Sequence, residues 1–190
     1  MFSRHPVNYL SDLKELILAD QHRMHILKIV YQLSLPDCWI GAGFVRDAVW
    51  DHIHGMVPRS PEGDIDVIFF DSSNVDKNRE IFIESLLSNL DGTWRWSVKN
   101  QARMHVGNSD LPYASSADAL RFWPDTATAV GIRYSNSDGI EVLAPYFLED
   151  LFEARLTPTP RFKSEKKHIF DERIRSKRWL DKWPKLRINI

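Results

Sequence analysis

The chain has 190 residues, 43% hydrophobic and 12% aromatic, which excludes a disordered polymer and suffices for one domain with a proper core. A formal net charge of −1 and a pI near 6.7 argue against a dedicated nucleic-acid binder. No run approaches a membrane span, the start Met1-Phe2-Ser3-Arg4-His5-Pro6 lacks the apolar core of a signal peptide, and the single cysteine, Cys38, cannot form an internal disulfide; a cytoplasmic chain with no membrane contact is expected.

Leu13, Leu16, Ile17, Ile26, Leu27, Val30 and Tyr31 recur at helical spacing and predict one amphipathic helix over about 11–33, with Ser11 as its cap. Leu35-Pro36-Asp37 ends it, and Cys38-Trp39-Ile40 reads as a short strand entering Gly41-Ala42-Gly43. A helix over 43–54 buries Phe44, Val45, Ala48 and Val49, and residues 55–63 form a loop. Asp64-Ile65-Asp66-Val67-Ile68-Phe69-Phe70-Asp71 reads as a strand from its β-branched and aromatic content. Asp71-Ser72-Ser73-Asn74 then caps a helix ending near Leu90, with Gly92 in the C-cap region. Trp94, Trp96 and Val98 alternate with Arg95, Ser97 and Lys99 as another strand. Residues 115–122 form a short helix stopped by Pro124, and 128–134 with 140–144 form a hairpin around Ser137-Asp138-Gly139.

The remainder reads as helical, interrupted by Thr157-Pro158-Thr159-Pro160. This order predicts an α+β fold with a mixed sheet flanked by helices, in a single domain: an N-terminal helix (1–36), a core (37–153) and a basic helical extension (154–190). From Arg161 to Arg187, eleven Lys or Arg stand against four Asp or Glu. That surplus suits either a solvated helix or a flap holding a polyphosphate or an anionic acceptor.

Two segments carry the chemistry. In the strand beginning at Asp64, Ile65, Val67 and Phe69 face one way, while Asp64 and Asp66 share the other face with Ile68 and Phe70. Two residues of rise separate the aspartates by roughly 7 Å, so both reach a common cation. Carboxylates in line with Ile and Phe lie at the mouth of something buried. Twenty-one positions upstream, the turn at Gly41, Ala42 and Gly43 opens a helix, whose N-terminal amides and dipole suit a phosphate. Magnesium prefers a few carboxylates plus phosphate oxygens, so the pair fits a metal–triphosphate site. Each half alone is weak: Asp-x-Asp is most often a solvated face, and Gly-x-Gly is usually a turn.

Gly43-Phe44-Val45-Arg46-Asp47 followed by Asp64-Ile65-Asp66 resembles the polymerase-beta-type nucleotidyltransferase superfamily, nearest the form found in bacterial poly(A) polymerases and CCA-adding enzymes. A wider set also resembles a small bacterial family of predicted nucleotidyltransferases of unknown substrate: 98–105 (Val-Lys-Asn-Gln-Ala-Arg-Met-His), 122–128 (Phe-Trp-Pro-Asp-Thr-Ala-Thr), 142–146 (Val-Leu-Ala-Pro-Tyr) and 148–152 (Leu-Glu-Asp-Leu-Phe). The resemblance implies transfer of a nucleoside monophosphate from an NTP, ATP among them, to a hydroxyl on a small molecule, RNA end or protein, with pyrophosphate released. It implies a two-ion Mg2+ site on Asp64, Asp66 and a third carboxylate from a later strand, best matched by Glu141, with Asp125 in reserve. It also implies that Gly41, Ala42 and Gly43 cradle the triphosphate, although Ala42 stands where the family pattern has glycine. The large RNA-gripping C-terminal region of CCA-adding enzymes is absent from this sequence.

Arg46 either contacts the triphosphate or braces the aspartates, and Asp47 pairs locally with it. Lys99, Asn100 and Arg103 are candidates for phosphate or acceptor binding, set against ordinary surface residues at a strand end. His52 and His54 with Asp51 lack a further ligand at zinc spacing and read as solvent-facing. Trp179 and Trp183, four apart, read as docking the last helix on the core. A catalytically silent nucleotide-binding or interaction protein on the same fold is the alternative function. A Mg2+-dependent phosphohydrolase or glycosyltransferase built on Asp-x-Asp would leave the Gly-x-Val-Arg-Asp helix start unexplained.

Overall fold

The computed structural model describes residues 8–190, so the reading of Met1 to Pro6 falls outside it. The expected first helix is two. Asn8 caps α1 (Tyr9–Leu18) by accepting from the Ser11 amide at 3.2 Å, so Ser11 lies inside the helix. Asp20 restarts the chain as the cap of α2 (Gln21–Gln32), accepting from the Arg23 amide at 3.0 Å. Then come β1 (Trp39–Gly41), α3 (Gly43–Ile53) and β2 (Asp64–Phe69). The next helix, α4 (Lys77–Leu90), starts later than expected because Asp76 caps it, while Asp71 is taken up by Ser73 and Arg79. β3 (Arg95–Asn100) runs directly into α5 (Gln101–Asn108), a helix the sequence reading lacked. α6 (Ser116–Leu120), capped by Ser115, leads to the hairpin β4 (Gly131–Ser135) and β5 (Gly139–Leu143). The C-terminal part holds α7 (Glu149–Phe152), β6 (Arg155–Leu156), α8 (Pro160–Lys163), α9 (Lys167–Lys177), α10 (Trp179–Lys182) and β7 (Arg187–Ile188), with β6 and β7 pairing in parallel.

The main sheet has the order β3-β2-β1-β4-β5; β2 and β3 are parallel and the other pairs antiparallel. One face carries Ile40, Ile65, Val67, Phe69, Val98, Ile132 and Ile140, all buried in the principal core with Ile26, Val30, Val45, Val49, Ile83 and Leu87 from the helices. The opposite face is covered only in part, by a small cluster of Trp39, Ile68, Leu120 and Ala129 with Trp123 and Leu143 against it. Asp64 and Asp66 stand on this second face, beside apolar cover, as the alternation in the sequence requires.

The outer edge of β3 is closed by helix carboxylates. Glu84 accepts from the Val98 amide and Glu80 from the Asn100 amide, each at 2.8 Å. One helical turn advances about 6 Å and two strand residues about 7 Å, so glutamates four apart match amides two apart. The two side chains occupy donors that would otherwise invite another strand.

The C-terminal extension is docked through tryptophans. Trp50 of α3 meets Trp179 and Trp183 edge to face at 5.5 and 5.1 Å between centroids. His54 is part of the same joint: its Nε2 accepts from the Lys185 amide at 2.9 Å, which leaves Nδ1 to donate to the Trp50 carbonyl. His54 is therefore committed to structure rather than facing solvent.

Candidate active site

β1 and β2 pair Trp39 with Ile68 and Ile40 with Val67, and the next step of that register sets Gly41 beside Asp66. Gly41 also pairs with Gly131 of β4. A Cβ at Gly41 would lie 3.0 Å from the Val130 carbonyl oxygen and 3.2 Å from the Trp123 ring, so only glycine lets that ring close over the strand. Ala42 follows at φ 54°, ψ −130°, a conformation glycine favours, and turns the chain into α3. No side chain caps the first amides of α3.

Asp64 is exposed and pairs with Arg95 across the β2–β3 register at 2.9 Å, an ion pair open to water. Asp66 is half-buried. Burial, with the charge of Asp64 adding to it, pushes its carboxyl above the usual range, against the pull of Ser97, Arg173 and Arg46. A carboxylate crowded by burial and a like charge gains from a bound cation, and hard oxygen donors suit Mg2+.

Glu141 does not join them. The sheet order places β5 three strands from β2, about 14 Å by strand spacing alone. Glu141 pairs with Arg133, which holds its carboxyl below the ordinary range, and lines a separate cavity of about 540 Å3 with Tyr31, Trp39 and Tyr134. Asp125 is not a metal ligand in waiting either. It is fully buried, with Oδ1 accepting from the Thr128 amide at 2.8 Å and Oδ2 facing Arg173. Among the described residues, no group of three or more His, Cys, Asp or Glu converges as a metal site.

The other candidates are largely structural. Arg46 is 6% exposed, donates to Asp47 Oδ1 through Nε and Nη2 and to Thr128 Oγ1 through Nη1, and lies 4.4 Å from the Trp179 ring centroid. It braces the helix start through Asp47 and Thr128 and makes no hydrogen bond to Asp64 or Asp66, so it does not directly brace the aspartates in the way one of the two sequence readings expected. Arg103 and Lys99 do not point to a nucleotide: Arg103 grips the buried Glu80 with Nε at 2.6 Å, and Lys99 donates to Glu84. Asn100 is buried as the cap of α5 and links it to Asp71 and Asn74. The residue that sequence reading missed is Arg173 of α9, whose charge reaches Asp66. Its only sequence signal was membership of a basic segment.

A family model described as nucleotidyltransferase matches residues 28–188. Among curated proteins, none matches the sequence. A solution NMR structure described as revealing a CCA-adding enzyme head domain is 33% identical, with 94% of this chain and 95% of that one covered and a TM-score of 0.84. A CCA-adding enzyme in complex with CTP and a Thermotoga maritima CCA-adding enzyme complexed with tRNA are each 16% identical, with TM-scores of 0.57 and 0.56. They cover 94% of this chain, which spans only 43% and 42% of their lengths; that likeness bears on the fold alone. With a glycine turn, an open α3 start and paired aspartates on one sheet face, and with the family match across most of its length, the chain belongs to the nucleotidyltransferases of the polymerase-beta type.

Proposed function

We propose that the protein transfers a nucleoside monophosphate from an NTP to a hydroxyl acceptor through Asp64 and Asp66. The observation that carries this reading is Asp66, held half-buried beside Asp64 and next to Gly41, where the turn into the uncapped start of α3 begins. The amides of that helix start are the donors for phosphate oxygens. Asp64 and Asp66 would hold Mg2+ together with those oxygens; when bound, the ion neutralises charge on the attacking and leaving oxygens. Asp64 is free for this because its present partner, Arg95, is largely exposed. Two protein carboxylates rather than three make the site lean on the nucleotide's own oxygens. Trp123 over Gly41 walls one side of the face.

An RNA end is the acceptor we would test first, because relatives of this fold include a CCA-adding enzyme complexed with tRNA; small metabolites and protein hydroxyls are the alternatives. The single cysteine supports a cytoplasmic setting. The catalytically silent reading is favoured by one observation: among the described residues, no third carboxylate groups with Asp64 and Asp66 as a metal site.

Incubating the protein with Mg2+, each radiolabelled NTP and a cell extract, then following label and pyrophosphate, separates these readings. Covalent label with pyrophosphate release, lost in Asp64→Asn, is the expected result. Nucleotide bound without release would make the protein a silent binder, and inorganic phosphate without label would make it a hydrolase.

A further inference from the structure

Arg173 and the fully buried Asp125 are a pair that does not complete itself, although the Arg173 side chain is 27% exposed. Arg173 Nε and Asp125 Oδ2 stand 3.7 Å apart, beyond hydrogen-bond reach, and neither atom has another partner among the described residues. A buried polar atom without a partner costs about 1–3 kcal/mol, so two facing each other require a reason. Nor is the mismatch one of loose chain. The Asp125 loop is clamped to the start of the extension: Thr159 donates through its hydroxyl to the Trp123 carbonyl at 2.6 Å, and the Thr126 amide donates to the Thr157 carbonyl at 3.0 Å. Arg173 is held in turn by the docked extension, its guanidinium 5.0 Å from the Trp179 ring centroid.

The same Trp179 ring carries the Arg46 guanidinium at 4.4 Å. Two cations are thus gathered on one indole, and the charges of both reach Asp66. Burial lowers the basicity of Arg173, and the like charge of Arg46 lowers it further against the opposing pull of Asp125 and Asp66. Arg46 is satisfied by Asp47 and Thr128, whereas the Arg173 guanidinium donates no hydrogen bond among the described residues, its Nε turned inward to Asp125 while the side chain stays 27% exposed. A planar guanidinium fork with an unspent donor, next to the face that carries the aspartates, matches a phosphate oxyanion better than any other common ligand group.

We propose that Arg173, carried into the site by the C-terminal extension, grips a phosphate oxygen of the bound nucleotide. This rests on the nucleotidyl-transfer reading for the identity of the ligand, but binding of the anion is measurable without turnover. The extension is then part of the site and not a solvated appendage.

Inorganic tripolyphosphate is the probe, titrated into the full chain with and without Mg2+ and followed by tryptophan fluorescence and by the Trp179 indole signal in an NMR spectrum. Wild type should bind it and shift the Trp179 signal. Arg173→Met should weaken binding about ten-fold in both conditions, and Arg173→Lys should fall between them, having a point charge without the fork. Wild type that ignores tripolyphosphate, or a folded Arg173→Met that binds it as wild type does, overturns the proposal. Should Arg173→Met fail to fold, the wild-type Trp179 signal decides: unmoved at saturating tripolyphosphate, it also overturns the proposal. Loss of binding in Arg173→Met without label transfer in wild type would leave the anion contact standing and remove the transferase; transfer undiminished in Arg173→Met would do the reverse.

Discussion

The indole N–H of Trp183 donates to Asp51 Oδ1 at 2.8 Å, joining the last tryptophan of the chain to the helix that the glycine turn opens. Asp51 also accepts from Arg59 at 2.7 and 2.8 Å, so a buried carboxylate is shared between α3, the loop after it and the C-terminal extension.

Breaking that junction should loosen the extension. Trp183→Phe keeps the ring against Trp50 but removes the donor, at a cost of about 1–2 kcal/mol; Asp51→Asn also loses charge-assisted bonds to Arg59 and should cost about 2–3 kcal/mol. Burial opposes the charge of Asp51, yet hydrogen bonds from Arg59 and Trp183 and the charges of Arg59 and Lys182 outweigh it, and its carboxyl sits below the ordinary range. The stabilisation is therefore present above an unfolded value of about 3.9 and disappears as pH falls through the lower folded value. Denaturant midpoints of wild type and Asp51→Asn should converge below about pH 4; a constant gap down to strongly acid pH would exclude this account.

Asp66 has the opposite sign. Its carboxyl is raised, so the stability difference tied to it is complete below the unfolded value and lost as pH rises through the folded one. Asp66→Asn should melt higher than wild type at pH 7 without ligand, the gain vanishing near pH 4. With Mg2+ and NTP at a hundred times the dissociation constant, wild type should gain about 2.7 kcal/mol and the variant less than half of that. Equal gains in both proteins would put the metal elsewhere.

Ala42→Gly tests the strained turn. Relief of a positive-φ conformation is worth about 1–3 kcal/mol, set against about 0.4–1 kcal/mol for the freer unfolded chain. A net gain of about 1 kcal/mol, or roughly 2–4 °C in Tm, is expected. A lower Tm would mean that the alanine methyl makes contacts that outweigh its strain.

Glu141→Gln should leave turnover within about two-fold and stability within about 1 kcal/mol, because it breaks only an ion pair open to water. Abolished transfer with NTP binding intact would restore Glu141 as a catalytic carboxylate.

What was legible in the sequence was local. Period two in β2 placed Asp64 and Asp66 on one face with Ile68, and Ile68 is indeed packed under Trp39 and Leu120 on that face. The helix start at Gly43 and the docking role of Trp179 and Trp183 were legible from spacing for the same reason. Strand adjacency was not. Nothing in the alternation of residues 139–143 says that β1 and β4 intervene between that strand and β2, so Glu141 looked eligible when it was three strands away. Lys99 and Arg103 looked like anion binders because their partners, Glu84 and Glu80, lie on a helix 15 and 23 residues earlier, a pairing no local spacing reveals. Arg173 was hidden in a run of like charges, and only the burial of its Nε sets it apart.

Glu80 and Glu84 have a consequence for how the sheet breathes. An edge strand normally trades its outward amide protons with water quickly, but those of Val98 and Asn100 are each held by a carboxylate of the adjoining helix. In deuterium exchange they should persist like amides of an interior strand, and release only when α4 itself lifts from β3. The slowest step at this margin of the sheet is then the opening of a helix, and the two glutamates make strand and helix exchange as one unit.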